Sequence, residues 1–394
     1  MASERQDPAG EAEEDSPIVT KRKVALVMRD FKGEIGGAER FSVNLARGLV
    51  ERGLDVEIWG GSLESGLGME EIFREISFAR KPSSLKVWSF CRGYQHLLET
   101  TEERIVLGIT QVYPVDVYRV GSGIYPHWLR LQNPNPLRRW IHLLTRPVYW
   151  ANRGIEKQIM ASRRLKKVVV NSELEKKNLR HYYPMPEEKV EVIYNGVDLE
   201  HFHPRWKGQR EKTRGDLNTD NASFVLLFPS NNFKRKGLET VLRAMAVLRD
   251  QRLVLWVAGK GKVRFFQSLS EHLGLGDRVR FLGQRSDMAR LYGAADCMVL
   301  PTQYDSFSNV VLEAMACDLP VITTRNNGAA EAIEPGVNGF ILMKYNDAET
   351  LGQRIESVIE KVEEWEGKAR RRADEFTLEK SVGRYIHLLE SLGC

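Results

Sequence analysis

Short apolar runs alternate with amphipathic stretches along this chain, and they do so in two separate series. In the first, VALVMRD (24–30) reads as a buried strand, FKGEIGGAER as a glycine-bearing loop, and Phe41, Leu45 and Leu49 as one face of a helix, before VEIWG (56–60) supplies the next strand. Strand, loop, helix and strand within forty residues make a βαβ unit, which requires parallel strands and right-handed crossovers. IVLGI (105–109), KVVVNS (167–172) and VEVIYNGVD (190–198) continue the series. A polar, charged stretch, 199–221, carries no apolar period and reads as a domain boundary. The second series then runs through FVLLFPS (224–230), LETVLRAMAVLRD (238–250), LVLWVAG (253–259), VRFLG (279–283), CMVLPT (297–302) and PVITT (320–324). The expectation is an α/β protein of two Rossmann-like domains, 21–199 and 200–376, with a helix at 377–394 that packs back on the first.

Charge is distributed unevenly. The chain of 394 residues has a net charge of +5, but residues 1–20 hold six acids and one base, and residues 119–167 hold eleven bases against Glu156 alone. The first twenty residues have almost no large apolar groups and are expected to form a disordered acidic tail. No run of eighteen apolar residues occurs and the start is acidic, so a cytoplasmic location is expected. The four cysteines, Cys91, Cys297, Cys317 and Cys394, lie far apart, and neither a disulfide framework nor a zinc site is suggested.

Three segments could carry chemistry. SNNFKRKG (230–237) lies where a strand ends and a helix begins, the place where open α/β sheets bind ligands, and Arg235 and Lys236 put two cations there. That suits a diphosphate; a solvated charge run is the plainer alternative. Gly36 and Gly37 follow the first strand and would let a backbone approach a ligand, or simply make a turn. GKGK at 259–262 begins a GxGxxG, but Arg264 replaces the third glycine, so the dinucleotide fingerprint is incomplete. In YDSFSNVVLEAMACDLPVITT (304–324), Asp305 falls in a loop and Glu313 one or two turns into the following helix, so both carboxylates can face the same cleft and accept hydrogen bonds from vicinal hydroxyls.

That last string resembles the donor-sugar motif of family 4 retaining glycosyltransferases of the GT-B type, normally Glu, seven residues, Glu. KVEVIYNGVDLEHFHP (189–204), LGQRSDMARLYGAADCMVLPT (282–302) and NNGAAEAIEPGVNGFIL (326–342) are similar to segments of the same family, nearest to its lipopolysaccharide core glucosyltransferases. The resemblance implies two Rossmann-like domains facing across a cleft and transfer of a hexose from a nucleotide sugar, UDP-linked in the family pattern, to a glycolipid or oligosaccharide acceptor. By that likeness Arg235 and Lys236 hold the diphosphate, Glu313 the ribose, Arg285 lies near the base, Gly36 and Gly37 face the donor phosphates, Asp305 addresses the sugar, and Asn309 and Val310 are further substrate-binding residues. Asp305 departs from the usual Glu by one methylene. VDVYRVGSGIYPHW (115–128) is similar to the acceptor-side segment and maps its acid onto Asp116, for which a turn or cap carboxylate is the alternative; His127 reads as an exposed loop histidine. No Asp-x-Asp occurs, so a metal-bridged diphosphate lacks its ligands and neither metal nor cofactor is expected.

WLRLQNPNPLRRWIHLLTRPVYWANR (128–153) interleaves Trp128, Trp140, Tyr149 and Trp150 with five arginines. Such a surface suits anionic lipid headgroups, and peripheral contact with the inner face of the cell membrane is expected. Nucleic acid binding, or tryptophans buried in an ordinary helix, would use the same composition; no nucleic-acid partner is expected. Two other function classes compete with the transferase: a nucleotide-dependent epimerase or dehydrogenase, and a non-catalytic membrane-associated protein with a degenerate sugar pocket.

Overall fold

The computed structural model describes residues 23–32, 37–133, 135–145, 147–248 and 250–394. The acidic stretch 1–20 and Gly36 lie outside the described residues. Seven parallel strands form the first sheet: β1 (Lys23–Val27), β2 (Val56–Gly60), β3 (Phe73–Glu75), β4 (Arg104–Gly108), β5 (Val117–Val120), β6 (Lys167–Val170) and β7 (Val190–Val192), in the order β3-β2-β1-β4-β5-β6-β7. Six more form the second: β8 (Phe224–Pro229), β9 (Leu253–Ala258), β10 (Val279–Gly283), β11 (Cys297–Leu300), β12 (Val321–Thr324) and β13 (Gly339–Leu342), in the order β10-β9-β8-β11-β12-β13. Helices cover both faces of each sheet, which is why central strands such as β4 and β9 are buried along their whole length instead of alternating.

In both sheets the strand order reverses beside the first strand of its series, at β1/β4 and at β8/β11, and ligands of open α/β sheets bind at the carboxyl ends flanking such a point. The two carboxyl edges face each other across a cleft. β3, β5 and β13 were not resolved as separate strands by the sequence pattern, because each is only three or four residues long and β5 carries the charged Arg119 in its middle.

The chain crosses between domains twice, and the two crossings are tied together. Val197 N donates to Phe376 O at 2.9 Å and Leu378 N to Val197 O at 3.1 Å. The helix Leu378–Glu390 then buries Val382, Tyr385, Leu388 and Leu389 in one cluster with Val24, Leu26, Phe41, Leu45 and Leu49 of the first domain. Each such side chain removed from water contributes roughly 1.5–3 kcal/mol.

Polar contacts finish the seam. The helix Glu173–Tyr182 of the first domain receives a carboxylate from the second: Glu331 accepts Glu173 N at 3.0 Å and Leu174 N at 2.8 Å, satisfying two free donors at a positive helix end. Ser306 Oγ donates to Gly121 O at 2.9 Å, and Tyr304 OH reaches the buried Glu175 carboxylate.

Candidate active site

The loop after β8 ends in a single helical turn, Phe233–Lys236, capped by Asn232, whose side-chain oxygen accepts Arg235 N at 3.1 Å. Gly237 stops the turn with φ of 86°, and a Cβ there would lie 2.1 Å from Pro301 O, so only glycine lets this turn press against the end of β11. The expected helix start is thus displaced: Arg235 and Lys236 sit on a separate turn ahead of the longer helix Leu238–Leu248.

That turn aims both cations at the loop after β11. Arg235 Nη1 donates to Tyr304 O at 2.9 Å and to Asp305 Oδ2 at 3.3 Å; Lys236 Nζ is hydrogen-bonded to Asp305 Oδ2 and to Ser308 Oγ, the latter at 2.6 Å. Burial opposes the Asp305 charge, but Lys236 and Arg235 outweigh it and hold the carboxyl below the usual range. Burial lowers the Lys236 ammonium, with Asp305 opposing the shift and Arg235 adding to it.

The helix Asn309–Ala316 begins at the same loop. Its second turn carries Glu313, which accepts from Tyr292 OH at 3.0 Å and from Arg40 Nη1 of the first domain at 3.4 Å. Burial pushes the Glu313 carboxyl up, with Arg40 and Tyr292 pulling the other way. At the start of the helix, Asn309 Oδ1 accepts from Asn195 Nδ2 of the first domain at 2.7 Å. Arg285 is held by a two-pronged contact with Asp287, at 2.8 and 2.6 Å.

A cavity of about 570 Å³ between the domains brings these residues together: Arg235, Lys236, Arg285, Asp305, Asn309, Val310 and Glu313 all line it. Ser308, Arg40, Arg119 and Asn195 line it too, and sequence reasoning missed them. Arg119 left one signal, a charged residue inside an otherwise apolar strand. Gly37 opens the helix Gly37–Glu51 after β1. A second cavity of about 410 Å³ adjoins on the first domain, lined by Thr110, Gln111, Tyr125, Tyr149 and Asn152 among others, and shares Arg119, Gly121, Ser122 and Trp128 with the first.

Asp116 requires a correction. It precedes β5, at the amino edge of the sheet and away from the cleft, and lines neither cavity. Its Oδ2 accepts Val106 N at 3.0 Å and Arg164 Nε and Nη2 at 3.1 and 2.9 Å, the work of a structural carboxylate. His127 is also corrected: it lies in the helix Tyr125–Gln132, half-buried, 4.7 Å from the Tyr304 ring.

The basic segment divides. It folds as the helices Tyr125–Gln132, Pro136–Thr145 and Pro147–Met160. Trp140 is 63% exposed, Leu137 70%, and Ile141 and Trp150 also face outward. Trp128 and Tyr149 instead line cavities. Among the described residues no helix is long and apolar enough to cross a membrane, and no group of three or more His, Cys, Asp or Glu is placed to hold a metal ion.

Residues 35–201 match the family described as Glycosyltransferase Family 4, and residues 209–377 match Glycosyl transferases group 1. The D-inositol 3-phosphate glycosyltransferase of Corynebacterium kroppenstedtii is 31% identical over 246 residues, 59% of this chain and 53% of that protein. The protein of the same name from Saccharomonospora viridis is 33% identical over 201 residues, 48% of this chain and 46% of that protein. The chain spans about half the length of the curated relatives it matches. Among solved structures, WaaG, a glycosyltransferase involved in lipopolysaccharide biosynthesis, superimposes with a TM-score of 0.79 at 22% identity over 93% of this chain and 99% of WaaG. Alr3699/HepE of Anabaena in complex with UDP and glucose gives 0.72 at 20% identity, over 94% and 99% of the two chains. With both halves matched in order and both sheets superimposing on these structures, the chain belongs to the family 4 glycosyltransferases and has the GT-B fold.

Proposed function

We propose that this protein transfers a hexose from a UDP-linked sugar, with retention of anomeric configuration, to a sugar acceptor on a cell-envelope glycolipid. The observation that carries the reading is the convergence of Arg235, Lys236, Asp305 and Glu313 on one interdomain cavity. The domain of residues 200–376 takes the donor and that of residues 21–199 the acceptor. Arg235 and Lys236 meet the diphosphate, aided by the amino end of the helix Asn309–Ala316, whose dipole favours an anion. Glu313 accepts the ribose hydroxyls, Arg285 lies by the base, and Asp305, Asn309 and Val310 address the sugar. UDP as the nucleotide is supported by its presence in the Alr3699/HepE complex.

In the transfer step the acceptor hydroxyl oxygen bonds to the anomeric carbon on the face that the diphosphate leaves. The bond from that carbon to the β-phosphate oxygen breaks, its electron pair departs with UDP, and the hydroxyl proton passes to the departing oxygen. Negative charge grows on the β-phosphate, and cations fixed beside it stabilise the transition state more than the ground state.

The outward face of the Pro136–Thr145 helix supports peripheral contact with an anionic bilayer at its cytoplasmic face. Leu137, Trp140 and Ile141 are exposed there beside Arg138 and Arg139.

The test is incubation with a panel of nucleotide sugars and sugar acceptors, following UDP release and reading the new linkage by NMR. Release from a UDP-hexose with an α-linked product from an α-linked donor is expected. An inverted product, or no release from any nucleotide sugar, overturns the reading.

A further inference from the structure

Among the described residues five cations line the interdomain cavity, and four of them are paired with carboxylates: Arg235 and Lys236 with Asp305, Arg40 with Glu313, Arg285 with Asp287. Arg119 is the fifth. Only 2% of it is exposed, and among the described residues no carboxylate lies within ion-pair distance of it. Its guanidinium donates to Tyr385 OH at 3.1 Å and to Asn195 Oδ1 at 2.8 Å, and stands 3.8 Å from the centre of the Phe41 ring. These partners are neutral. A buried guanidinium keeps its charge at any ordinary pH, so burial without a counter-ion is costly and calls for an anion.

The surroundings say where that anion belongs. Arg119 lies on β5, and it lines both the interdomain cavity and the adjoining cavity of the first domain. Gly121 makes room for it: a Cβ at that position would fall 1.9 Å from Arg119 Nη1. The fork is also tied across the cleft, because Asn195, which accepts from Arg119, donates in turn to Asn309 at the start of the Glu313 helix.

We propose that Arg119 is an anion-binding residue of the cleft, receiving a phosphate oxyanion of a bound substrate at the boundary of the two cavities. The proposal rests on the reading of the cleft as a nucleotide-sugar site. The same phosphate chemistry has two sources, the diphosphate of the donor from one side and a phosphorylated acceptor from the other. Arginine suits either, since its planar fork offers two parallel donors to one phosphate.

The experiment is calorimetric titration of the full chain and of Arg119→Met and Arg119→Lys, first with UDP, then with D-inositol 3-phosphate and inositol on the UDP-loaded protein, and separately with pyrophosphate. A dissociation constant for UDP raised tenfold or more in Arg119→Met, with Arg119→Lys intermediate, supports the proposal with the donor as source. UDP binding within twofold of wild type, together with loss of the preference for D-inositol 3-phosphate over inositol, supports it with the acceptor as source. Wild-type protein that fails to bind UDP defeats the functional reading separately, and pyrophosphate then decides the role of Arg119. Because Arg119→Met removes an unbalanced buried charge, the unliganded variant is expected to melt no lower than wild type; should it fail to fold, Arg119→Lys carries the comparison. If no phosphate ligand distinguishes the folded variants from wild type by more than twofold, the proposal is overturned.

Discussion

Lys236 and Asp305, 69 positions apart in sequence, form an ion pair at the floor of the interdomain cavity, with the lysine side chain 10% exposed and the aspartate 16%. Removing one partner of such a pair leaves the other charge buried without compensation, at a cost of about 3–5 kcal/mol. Asp305→Asn and Lys236→Met are each expected to be destabilised on this scale. The double variant should lose clearly less than the sum, because the two changes abolish one interaction. Urea unfolding of all four proteins checks this, and strict additivity would show that the pair is not coupled.

Asp116 gives the contrasting case. Asp116→Ala strips Val106 N and Arg164 of their acceptor far from the cleft, and a loss of roughly 2–4 kcal/mol of stability is expected from the unmet groups. The dissociation constant for UDP should stay within about twofold of wild type, since Asp116 touches nothing in the cavity. Thermal melts beside UDP titrations separate the two effects.

Glu156 predicts a pH dependence. It is fully buried, accepts from Tyr125 N, Gln111 Nε2 and Tyr183 OH, and burial pushes its carboxyl up to about 7 from an ordinary 4.5. The folded state therefore holds this proton more tightly than the unfolded chain. Stability from this group is fully present below pH 4.5 and is lost as pH rises through about 7, a change of roughly 3 kcal/mol. Glu156→Gln should remove that component, so that the variant gains on wild type between pH 5 and pH 8. Urea midpoints at the two pH values test it, and an unchanged difference would contradict it.

The proposed membrane contact is separable from the cleft. Trp140→Ala and Arg138→Ala lie on the outward face of the Pro136–Thr145 helix. Each basic residue near an anionic surface contributes about 1 kcal/mol, so losing one should weaken liposome binding several-fold. Sedimentation with vesicles rich in phosphatidylglycerol should show this weakening, with UDP affinity unchanged and with binding that falls as salt rises.

The fold was legible because its strands are covered on both faces: runs such as VALVM and LVLWVA have no reason to be so apolar except in a parallel sheet. Asp305 and Glu313 were legible because both lie within one loop and helix. Arg40, Arg119 and Asn195 were not, because they reach the cavity from three separate elements of the other domain, and only tertiary structure brings those together. Asp116 stayed open between an acceptor-side acid and a turn or cap carboxylate for the same reason: nothing in VDVYRV tells which edge of the sheet an acid at the start of a strand occupies. Composition also could not separate Trp128 and Tyr149, which face a cavity, from Trp140 and Trp150, which face outward.

The most direct test of the central claim is calorimetric binding of UDP to wild type, Arg235→Ala and Lys236→Ala, paired with a crystal structure of the wild-type complex. The diphosphate is expected against Arg235 and Lys236 with the ribose on Glu313. Each alanine variant should weaken binding, and kcat with any competent donor should fall roughly a hundred- to a thousandfold. UDP seated elsewhere, or bound equally well by all three proteins, would contradict the assignment of this cleft.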